Sequence, residues 1–383
     1  MIRIVVALFS IRSGEAARLK AGVPFAVAHY NILAEYLGDN GKPWFLFPLN
    51  LTDTERAAIM MRHYETDPNG NYVNRFETNG YGGLLSQQQR ENVAAHNEVF
   101  QWAFRGPKLF SEVVGLEADV LSLVENDHFE EFQSLLSPAY EGAFAKRPRA
   151  SSMDGSSLFW RRERFRLVGS PRNVTFQDWE TCKEDVHRED RVMLAAALQD
   201  KTSEKVIVFA SVHLMRNPED TGKDSMRMLE VSQMMRHLSC LVVETGAAGL
   251  VVMGDFNAMP DSYTHLFFLH GWQDCQATEK QMRGAFEEVK WGTGSKEACT
   301  TKTAARSMWI DYVFYSSRTL ELKGEPRVEP CPDGPIPDAS HPSDHLPLWA
   351  NLRLKAGAGP LAPRCELCAQ ARQAHLAQRH HDG

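Results

Sequence analysis

The sequence lacks any apolar stretch of the ~18–20 residues that a transmembrane helix requires. The short apolar run from Ile4 to Phe9 is not followed by the small-residue cleavage site of a secretory signal. Cysteines are few and odd in number, seven among 383 residues, and mostly scattered. These features predict reduced thiols and an intracellular, cytoplasmic protein without a membrane partner. Residues 1–24 are interpreted as a leader or a first strand, and organelle targeting stays open.

The sequence also lacks an excess of basic charge. It has 42 Lys and Arg against 49 Asp and Glu, a formal net charge of −7. A protein that passively coats nucleic acid presents a basic surface to the phosphates, so this balance weighs against that class. It is compatible with an enzyme that gathers carboxylates around a divalent cation, because the ion then supplies the local positive charge.

Short apolar segments recur along the chain, and many of them are separated only by turns. Residues 157–160 and 165–168, for example, predict a hairpin across the charged turn RRER, whereas spacing from Met228 to Val242 predicts an amphipathic helix. This is not the strict alternation of a doubly wound parallel sheet. We therefore predict an α+β fold, a four-layer α/β sandwich with two mainly antiparallel sheets packed face to face and helices outside.

The predicted catalytic domain covers residues 25–354. Within it, residues 40–85 are rich in Gly, Pro, Asn and aromatics and weak in periodicity, which is typical of a functional insertion. Because this segment follows Asn31 closely, we expect a mobile flap over the site. Residues 355–383 are interpreted as a linker and a C-terminal tail.

Polar residues follow or interrupt several of the apolar segments. They are Asn31, Glu125, His213, Asp255, Asn257, Asp311, Asp344 and His345. Each has a plain alternative, such as a turn cap, a solvated loop or a hydrogen-bonded core histidine. Burying carboxylates is costly unless they are paired or bind a metal, however, and so many such placements in one chain favour a single site.

The segments that carry these residues form a recognisable series. They are His29–Ala34 (HYNILA), Ser122–Glu125 (SLVE), Ser211–Leu214 (SVHL), Gly254–Asn257 (GDFN), Ile310–Phe314 (IDYVF) and Pro342–Leu348 (PSDHLPL). Their order and content resemble the motifs of the exonuclease–endonuclease–phosphatase superfamily over residues 25–354. GDFN alone is a moderate signal, whereas all six in order are specific.

A closer resemblance is to the carbon-catabolite-repressor-type deadenylase and nocturnin branch. It rests on Phe129–Phe132 (FEEF) with Tyr140–Gly142 (YEG), and on Asp154-Gly155 followed by Ser157–Trp160 (SLFW). Val124 stands where the family usually has Gln, and Asn126 where Val is common. These departures concern substrate contacts more than chemistry. Residues 40–85 match nothing in the family.

The resemblance implies a phosphoesterase that depends on Mg²⁺, with Mn²⁺ able to substitute. Glu125 is implied as the principal metal ligand, with Asn31 beside it. Asp344 is implied to touch a second ion, although the number of ions stays open. Hard divalent cations prefer such oxygen ligands, and they neutralise charge on phosphoryl oxygens.

The resemblance also assigns the catalytic groups. Asp255 would orient or deprotonate the attacking water, and Asn257 would hold the phosphate. His345 would lie against the scissile phosphate, with its ring fixed by Asp311, because a carboxylate on one imidazole nitrogen sets the tautomer and raises the basicity of the other. His213 would hydrogen-bond a phosphoryl oxygen.

Two positions bear on the substrate. Pro218 lies where deadenylases place a proline against a nucleobase, and Arg306 stands where those enzymes have a Phe. An arginine plane can stack on a base or bind a further phosphate in bidentate fashion, and a solvated loop arginine is the plain alternative.

The C-terminal tail carries Cys365, Cys368, His375 and His380, which are metal-like ligands. The Cys-x2-Cys pair is typical of a zinc knuckle, but the spacing to the histidines is short for a zinc finger. Two interpretations of the tail therefore stay open, a Zn²⁺ site and a frayed helix.

The leading functional hypothesis is a 3′–5′ exoribonuclease of the deadenylase kind. Its alternatives are a nocturnin-like 2′-phosphatase acting on NADP(H) and a catalytically inactive RNA-binding relative. The expected partner is RNA or a nucleotide. No leucine-rich repeat precedes the motifs, so we expect no docking module of the type found in some deadenylases.

Overall fold

The computed structural model describes residues 21–38, 49, 51–69, 73–74, 76–177, 188–271, 282–284, 298–303 and 306–362. The predicted zinc ligands, most of residues 1–24 and part of the 40–85 insertion lie outside these ranges.

Strands provide most of the described structure. They are β1 (Phe25–Asn31), β2 (Val120–Val124), β3 (Tyr140–Lys146), β4 (Gly155–Arg161), β5 (Phe165–Leu167), β6 (Arg172–Gln177), β7 (Arg188–Asp200), β8 (Val206–His213), β9 (Gly249–Asp255), β10 (Met282–Gly284), β11 (Thr301–Lys302), β12 (Ser307–Met308), β13 (Asp311–Ser316), β14 (Leu320–Leu322), β15 (Arg327–Val328) and β16 (Leu348–Leu354).

Helices lie between and outside the strands. They are α1 (Glu35–Gly38), α2 (Asp53–His63), α3 (Phe76–Gly83), α4 (Gln87–Asn97), α5 (Trp102–Gly115), α6 (Phe129–Leu136), α7 (Asp224–Thr245) and α8 (Tyr263–Gly271), with 3-10 turns at Glu98–Phe100 and Thr221–Lys223. The helix predicted between Met228 and Val242 is thus confirmed as the middle of α7.

The strands form two mixed seven-stranded sheets. The first has the order β14-β16-β1-β2-β4-β3 with β15 beside β16, and the second has the order β10-β13-β9-β8-β7-β5 with β6 beside β7. The β1–β2 and β8–β9 pairs are parallel, and the other pairs between named strands are antiparallel. This arrangement confirms the predicted fold class.

The main core lies between the two sheets. Phe25 of the first sheet makes edge-to-face contacts with Phe165 and Phe209 of the second, at centroid distances of 5.6 and 5.9 Å. Each such fully buried aromatic contributes about 1.5–3 kcal/mol relative to an exposed one. A second apolar cluster fills the space between the first sheet and α5 and α6, through residues such as Leu109 and Phe132.

The predicted hairpin between residues 157–160 and 165–168 is wrong. The strand β4 pairs with β2 and β3, whereas β5 pairs with β7 in the other sheet. The charged turn therefore crosses between sheets. The ring of Phe165 determines this path, because it packs into the apolar space between the sheets.

The insertion contains more regular structure than its weak periodicity predicts. Thr52 and Glu55 form a reciprocal capping box that begins α2. A small core of its own packs the insertion against α4. Its buried members are Leu49, Ile59, Tyr81, Leu85 and Val93.

The cysteines correct a second prediction. Cys299 and Cys331 form a disulfide, with their Cα atoms 5.3 Å apart, while Cys240 is a half-buried thiol. The prediction of reduced thiols is therefore wrong for this pair. The separation of 32 positions between the two cysteines matches no metal or redox motif, so only the tertiary fold reveals their proximity. Among the described helices, none combines the length and apolarity needed to cross a bilayer.

Candidate active site

The register of three strand pairs gathers the predicted residues at one edge of the sandwich. In the parallel β1–β2 pair, Asn31 lies opposite Val124, so Glu125 follows directly beyond it. In the parallel β8–β9 pair, His213 lies opposite Asp255. Asp311 in turn lies opposite Asp255 in the antiparallel β9–β13 pair.

This edge borders a cavity of about 420 Å³. The cavity is lined by Tyr36, Leu37, Tyr64, Glu125, His213, Arg216, Asn217, Asp255, Asn257, Arg306, Asp344 and His345. Six of the predicted catalytic and metal-binding residues, along with Arg306, thus share one concave surface. Asn31 and Asp311 lie just behind it, in contact with its lining.

A buried histidine–carboxylate–histidine chain supports one wall. His345 Nδ1 donates to Asp311 Oδ2 at 2.8 Å, and His29 Nε2 donates to Asp311 Oδ1 at 3.1 Å. The other ring nitrogen of His29 lies 3.0 Å from the hydroxyl of Ser122. Both carboxylate oxygens of Asp311 are therefore engaged, and the imidazole of His345 is held in one orientation.

The opposite charges of His345 and Asp311 stabilise each other. Burial alone would lower the pKa of His345, but Asp311 and Asp344 outweigh it and raise the pKa to about 10. Burial alone would raise the pKa of Asp311, but His345 and His29 bring it well below its usual range. At neutral pH this is an imidazolium bound to a carboxylate.

Asp255 lies at the centre of a second group of contacts. Asn31 Nδ2 donates to Asp255 Oδ2 at 3.1 Å, and the backbone N–H of Asn257 donates to Asp255 Oδ1 at 2.8 Å. His213 Nε2 and His345 Nε2 lie 3.5 and 3.9 Å from the same Oδ2. Burial and then the neighbouring Asp311 raise the pKa of Asp255 above its ordinary value.

Glu125 approaches from the other sheet. Its Oε2 accepts a 3.3 Å hydrogen bond from the backbone of Ala34, and its Oε1 lies 3.8 Å from His213 Nδ1. Burial raises the pKa of Glu125 to about 7, helped by the charges of Asp344 and Asp154. Burial and the charge of Arg191 lower the pKa of His213 well below its ordinary value, so this ring is neutral.

Two residues that line the cavity have an unusual backbone conformation. Glu125 and Asn257 adopt left-handed φ values of 53° and 47°. Such conformations cost a non-glycine residue about 1–2 kcal/mol, so the surrounding structure must impose them. In both cases the strained residue directly follows or closely follows the end of a buried strand and lines the cavity.

The donor set fits a hard divalent cation. Ligand atoms of Asp255, Asp311 and His345 lie within 4.8 Å of one another. Because both oxygens of Asp311 already accept histidine N–H groups, we regard Asp255 and the nearby Glu125 as the better oxygen ligands. Burial, and after it the neighbouring carboxylates, raise the pKa values of both groups, and a bound cation would stabilise their ionised forms.

Of the two predicted substrate residues, Arg306 lines the cavity and Pro218 does not. Arg306 lines the cavity, with Nη2 3.8 Å from Asp344 Oδ2 and Nη1 3.4 Å from Glu219 Oε1. Pro218 is buried, and its neighbours Arg216 and Asn217 provide the lining instead. The contact of Pro218 with a base stays a prediction.

Several residues of the site were missed by sequence reasoning. His29 stood inside a quoted motif, and a polar residue within the run FAVAHYN was a usable signal. The fully buried Arg105 donates from its guanidinium to the carbonyls of Ile32, Leu33 and Pro342, at 3.0, 2.8 and 2.9 Å. Nothing local distinguishes it in the sequence.

Two further supports lie in segments that resemble the family, although the sequence assigned them no role. The hydroxyl of Thr300 accepts hydrogen bonds from the backbone N–H groups of Ile310 and Asp311, at 3.0 and 3.1 Å. The hydroxyl of Ser343 donates to the Asn31 carbonyl at 2.6 Å. Tyr36, Leu37, Tyr64, Arg216 and Asn217, which line the cavity, belong to no motif that the sequence revealed.

Comparison with known proteins agrees with this geometry. The sequence profile of the Endonuclease/Exonuclease/phosphatase family matches residues 79–345. The Ccr4 3′-5′-exoribonuclease subunit of the CCR4-Not complex of Candida albicans is 25% identical over 311 residues, covering 68% of this chain and 38% of that protein. Nocturnin of Xenopus laevis is 26% identical over 269 residues, covering 66% and 64%. The chain thus matches less than two thirds of either relative.

Solved structures show the same fold. ANGEL2, a 2′,3′-cyclic phosphatase, in complex with adenosine-2′,3′-vanadate superposes with a TM-score of 0.63 and 19% identity, covering 87% of this chain and 96% of that one. The human nocturnin catalytic domain with bound sulfate has a TM-score of 0.53 and 21% identity, covering 87% and 95%.

The predicted relationship is therefore confirmed. Members of this family are divalent-metal-dependent enzymes that hydrolyse phosphoesters. The family profile covers well over half of the sequence, and the curated relatives include Ccr4 subunits and nocturnins. The chain belongs to the Endonuclease/Exonuclease/phosphatase family, in its Ccr4 and nocturnin branch.

Proposed function

We propose that the protein is a Mg²⁺-dependent 3′–5′ exoribonuclease that hydrolyses RNA phosphodiester bonds. The observation that carries this proposal is the facing pair of charges in the cavity, crowded carboxylates beside an imidazolium held by Asp311. The carboxylates would hold a cation, and the imidazolium would bind a phosphoryl group. The name of the Candida Ccr4 relative, an exoribonuclease subunit, supports RNA as the substrate.

Glu125, Asp255 and the side-chain oxygen of Asn31 would hold the metal ion, and Asp344 would approach a second ion if one binds. A bound Mg²⁺ supplies charge neutralisation and Lewis acidity at the phosphoryl oxygens. The protein contributes the geometry. The contacts of Asn31 with Asp255 and of Ala34 with Glu125 fix both carboxylates before substrate arrives.

His345 serves as the cationic hydrogen-bond donor to the scissile phosphate. Its Nδ1 proton is committed to Asp311, so Nε2 faces the reaction. A preorganised donor of this kind stabilises charge that develops in the transition state without reorganisation. His213, neutral and 3.5 Å from Asp255, offers a further contact to a phosphoryl oxygen.

Asp255 is the group that accepts the proton of the attacking water. Its Oδ2 lies 3.9 Å from His345 Nε2, the atom that faces the phosphate, so the carboxylate stands beside the reacting group. Asn257 holds a phosphoryl oxygen. Its Nδ2 donates to the Leu214 carbonyl at 3.2 Å, and since an amide nitrogen carries two hydrogens, a second donor remains for substrate.

One observation favours a second candidate, a phosphatase that removes a 2′-phosphate from NADP(H). Arg306 brings a guanidinium to the cavity beside Asp344, and arginine binds phosphate in bidentate fashion. The nocturnin relatives keep this candidate in view, and the name of ANGEL2 adds a 2′,3′-cyclic phosphate as a related substrate.

The deciding experiment incubates purified protein and Mg²⁺ with poly(A), mixed RNA, single-stranded DNA, NADPH and adenosine 2′,3′-cyclic phosphate. We expect shortening of RNA from its 3′ end that EDTA abolishes and that the Glu125→Ala and Asp255→Ala variants lack. Phosphate release from NADPH without RNA cleavage would support the phosphatase instead. RNA binding without turnover of any substrate would indicate an inactive relative.

A further inference from the structure

We infer that Tyr64, which the insertion contributes, is a specificity-determining residue whose ring stacks on the base of the nucleotide being cleaved. The inference rests on the proposed function, because it requires a nucleotide substrate. It concerns a segment that precedes residues 79–345, the region matched by the family profile.

The lining of the cavity includes two chemically different kinds of residue. The strand ends supply carboxylates, imidazoles and Arg306, whereas Tyr36, Leu37 and Tyr64 supply apolar and aromatic surface. A nucleotide has the same two parts, an anionic phosphate and a planar base. The volume of about 420 Å³ is within the range of sites that take small ligands.

Tyr64 differs from Tyr36 in its exposure. The hydroxyl of Tyr36 donates to Asp154, which ties this side chain to the protein. The side chain of Tyr64 is 43% exposed, yet it lines the cavity. A large ring with this exposure in the lining of a site can contact a ligand that enters the cavity.

The position of the Tyr64 ring is supported from behind. Tyr64 directly follows α2, which is anchored by Ile59 in the small core of the insertion. The buried ring of His63 meets the ring of Tyr64 edge to face, with centroids 4.8 Å apart, and packs against Tyr81 at 5.5 Å. The phenol is therefore preorganised, which reduces the entropy lost when a base binds.

A base is the ligand part that such a platform recognises. Every nucleobase has a π-face, and stacking on an aromatic side chain changes affinity by roughly 5- to 150-fold. Stacking acts on binding more than on the chemical step. Its loss should therefore raise KM and leave kcat nearly unchanged.

The test compares Tyr64→Ala, Tyr64→Leu and Tyr64→Phe with wild-type protein and Mg²⁺. The substrates are an oligoadenylate and the same oligomer with an abasic 3′-terminal ribose. Tyr263→Ala is the matched control, because Tyr263 is 75% exposed and does not belong to the lining of the cavity. Tyr64→Leu keeps the bulk of the side chain, so it removes the aromatic plane with less risk to the packing of α2.

We expect Tyr64→Ala and Tyr64→Leu to raise KM about tenfold on oligoadenylate, with kcat within about threefold, while Tyr64→Phe and Tyr263→Ala resemble the wild type. On the abasic substrate all five proteins should have similar KM values. An unchanged KM in Tyr64→Leu, or an equal loss on both substrates, would overturn the inference alone. A wild-type protein that cleaves neither oligomer would overturn the proposed exoribonuclease, and the inference with it.

Discussion

His345 Nδ1 donates a 2.8 Å hydrogen bond to Asp311 Oδ2, and both side chains are almost completely buried. This bond determines which nitrogen of His345 faces the cavity and keeps the ring protonated. The burial of the pair means that water cannot substitute for either partner. The buried position of Asp311 therefore fixes both the orientation and the protonation of His345, the group proposed to bind the phosphate.

Asp311→Asn is expected to lower activity by at least about 100-fold, because the amide has no charge to hold the imidazolium. The pKa of His345, now about 10, should fall, since Asp311 is the first of the groups that raise it. NMR titration of His345 and the pH–rate profile measure both effects. Activity that persists with an unshifted His345 pKa would contradict this assignment.

Glu125→Gln is expected to abolish turnover and the stabilisation that Mg²⁺ gives to the fold. Burial raises the pKa of Glu125 from 4.5 to about 7 in the metal-free protein, so stability falls as the pH rises from about 4.5 to 7 and the full cost is present at pH 8. The variant should therefore melt at the same or a higher temperature than the wild type without metal at pH 8. Thermal melts with and without Mg²⁺ test this, with the exposed Glu130→Gln as control.

Arg306→Phe separates the two candidate substrates. We expect this variant to maintain or improve cleavage of oligoadenylate, because an aromatic ring at this wall can stack on a base. Release of phosphate from NADPH, if the wild type shows it, should fall by about tenfold or more through loss of the guanidinium. Steady-state kinetics on both substrates provide the measurement. If neither rate changes, Arg306 takes no part in substrate binding.

Glu112 predicts a pH dependence of stability that is unrelated to metal. Burial raises its pKa to about 7 from 4.5, although the hydrogen bond from Tyr30 acts in the opposite direction. The folded state then keeps a proton that the unfolded state loses between these values, so stability falls as the pH rises from about 4.5 to 7. Above pH 7 the free energy of unfolding is reduced by the full cost of ionising the buried Glu112.

Glu112→Gln should remove this cost, because its amide oxygen still accepts from Tyr30 but cannot ionise. Urea unfolding at pH 8 should show a gain of at most about 3.5 kcal/mol, since the pKa rises from 4.5 to about 7 and one pKa unit corresponds to about 1.4 kcal/mol. At pH 4 the variant and the wild type should be alike. A gain of equal size at both pH values would point to a packing effect instead.

Much of the site could be predicted because its residues sit at the ends of apolar strands in recognisable motifs. Asn31, Glu125, His213 and Asp255 are of this kind, and the parallel registers bring them together. The capping box of Thr52 and Glu55 was also readable in the sequence, and it would have revealed α2.

The rest depends on long-range packing. Whether the segment after Arg161 returns to its own sheet or crosses to the other is decided by where Phe165 finds apolar neighbours, Phe25 and Phe209. The approach of Tyr64 to the cavity likewise depends on a cluster formed between α2, α3 and α4. No local pattern reports such contacts.

Arg105 connects two segments that lie far apart in the sequence. Its guanidinium holds the carbonyls of Ile32 and Leu33 together with that of Pro342, which lies 237 residues further along the chain than Arg105. During synthesis, the Arg105 guanidinium can therefore bind the Pro342 carbonyl only after residue 342 has left the ribosome. The strand β1 can likewise pair with β16 only after β16 has been synthesised. A nascent chain that already contains Glu125 and Asp255 but not residues 342–354 would lack these contacts, so we expect it not to hydrolyse substrate.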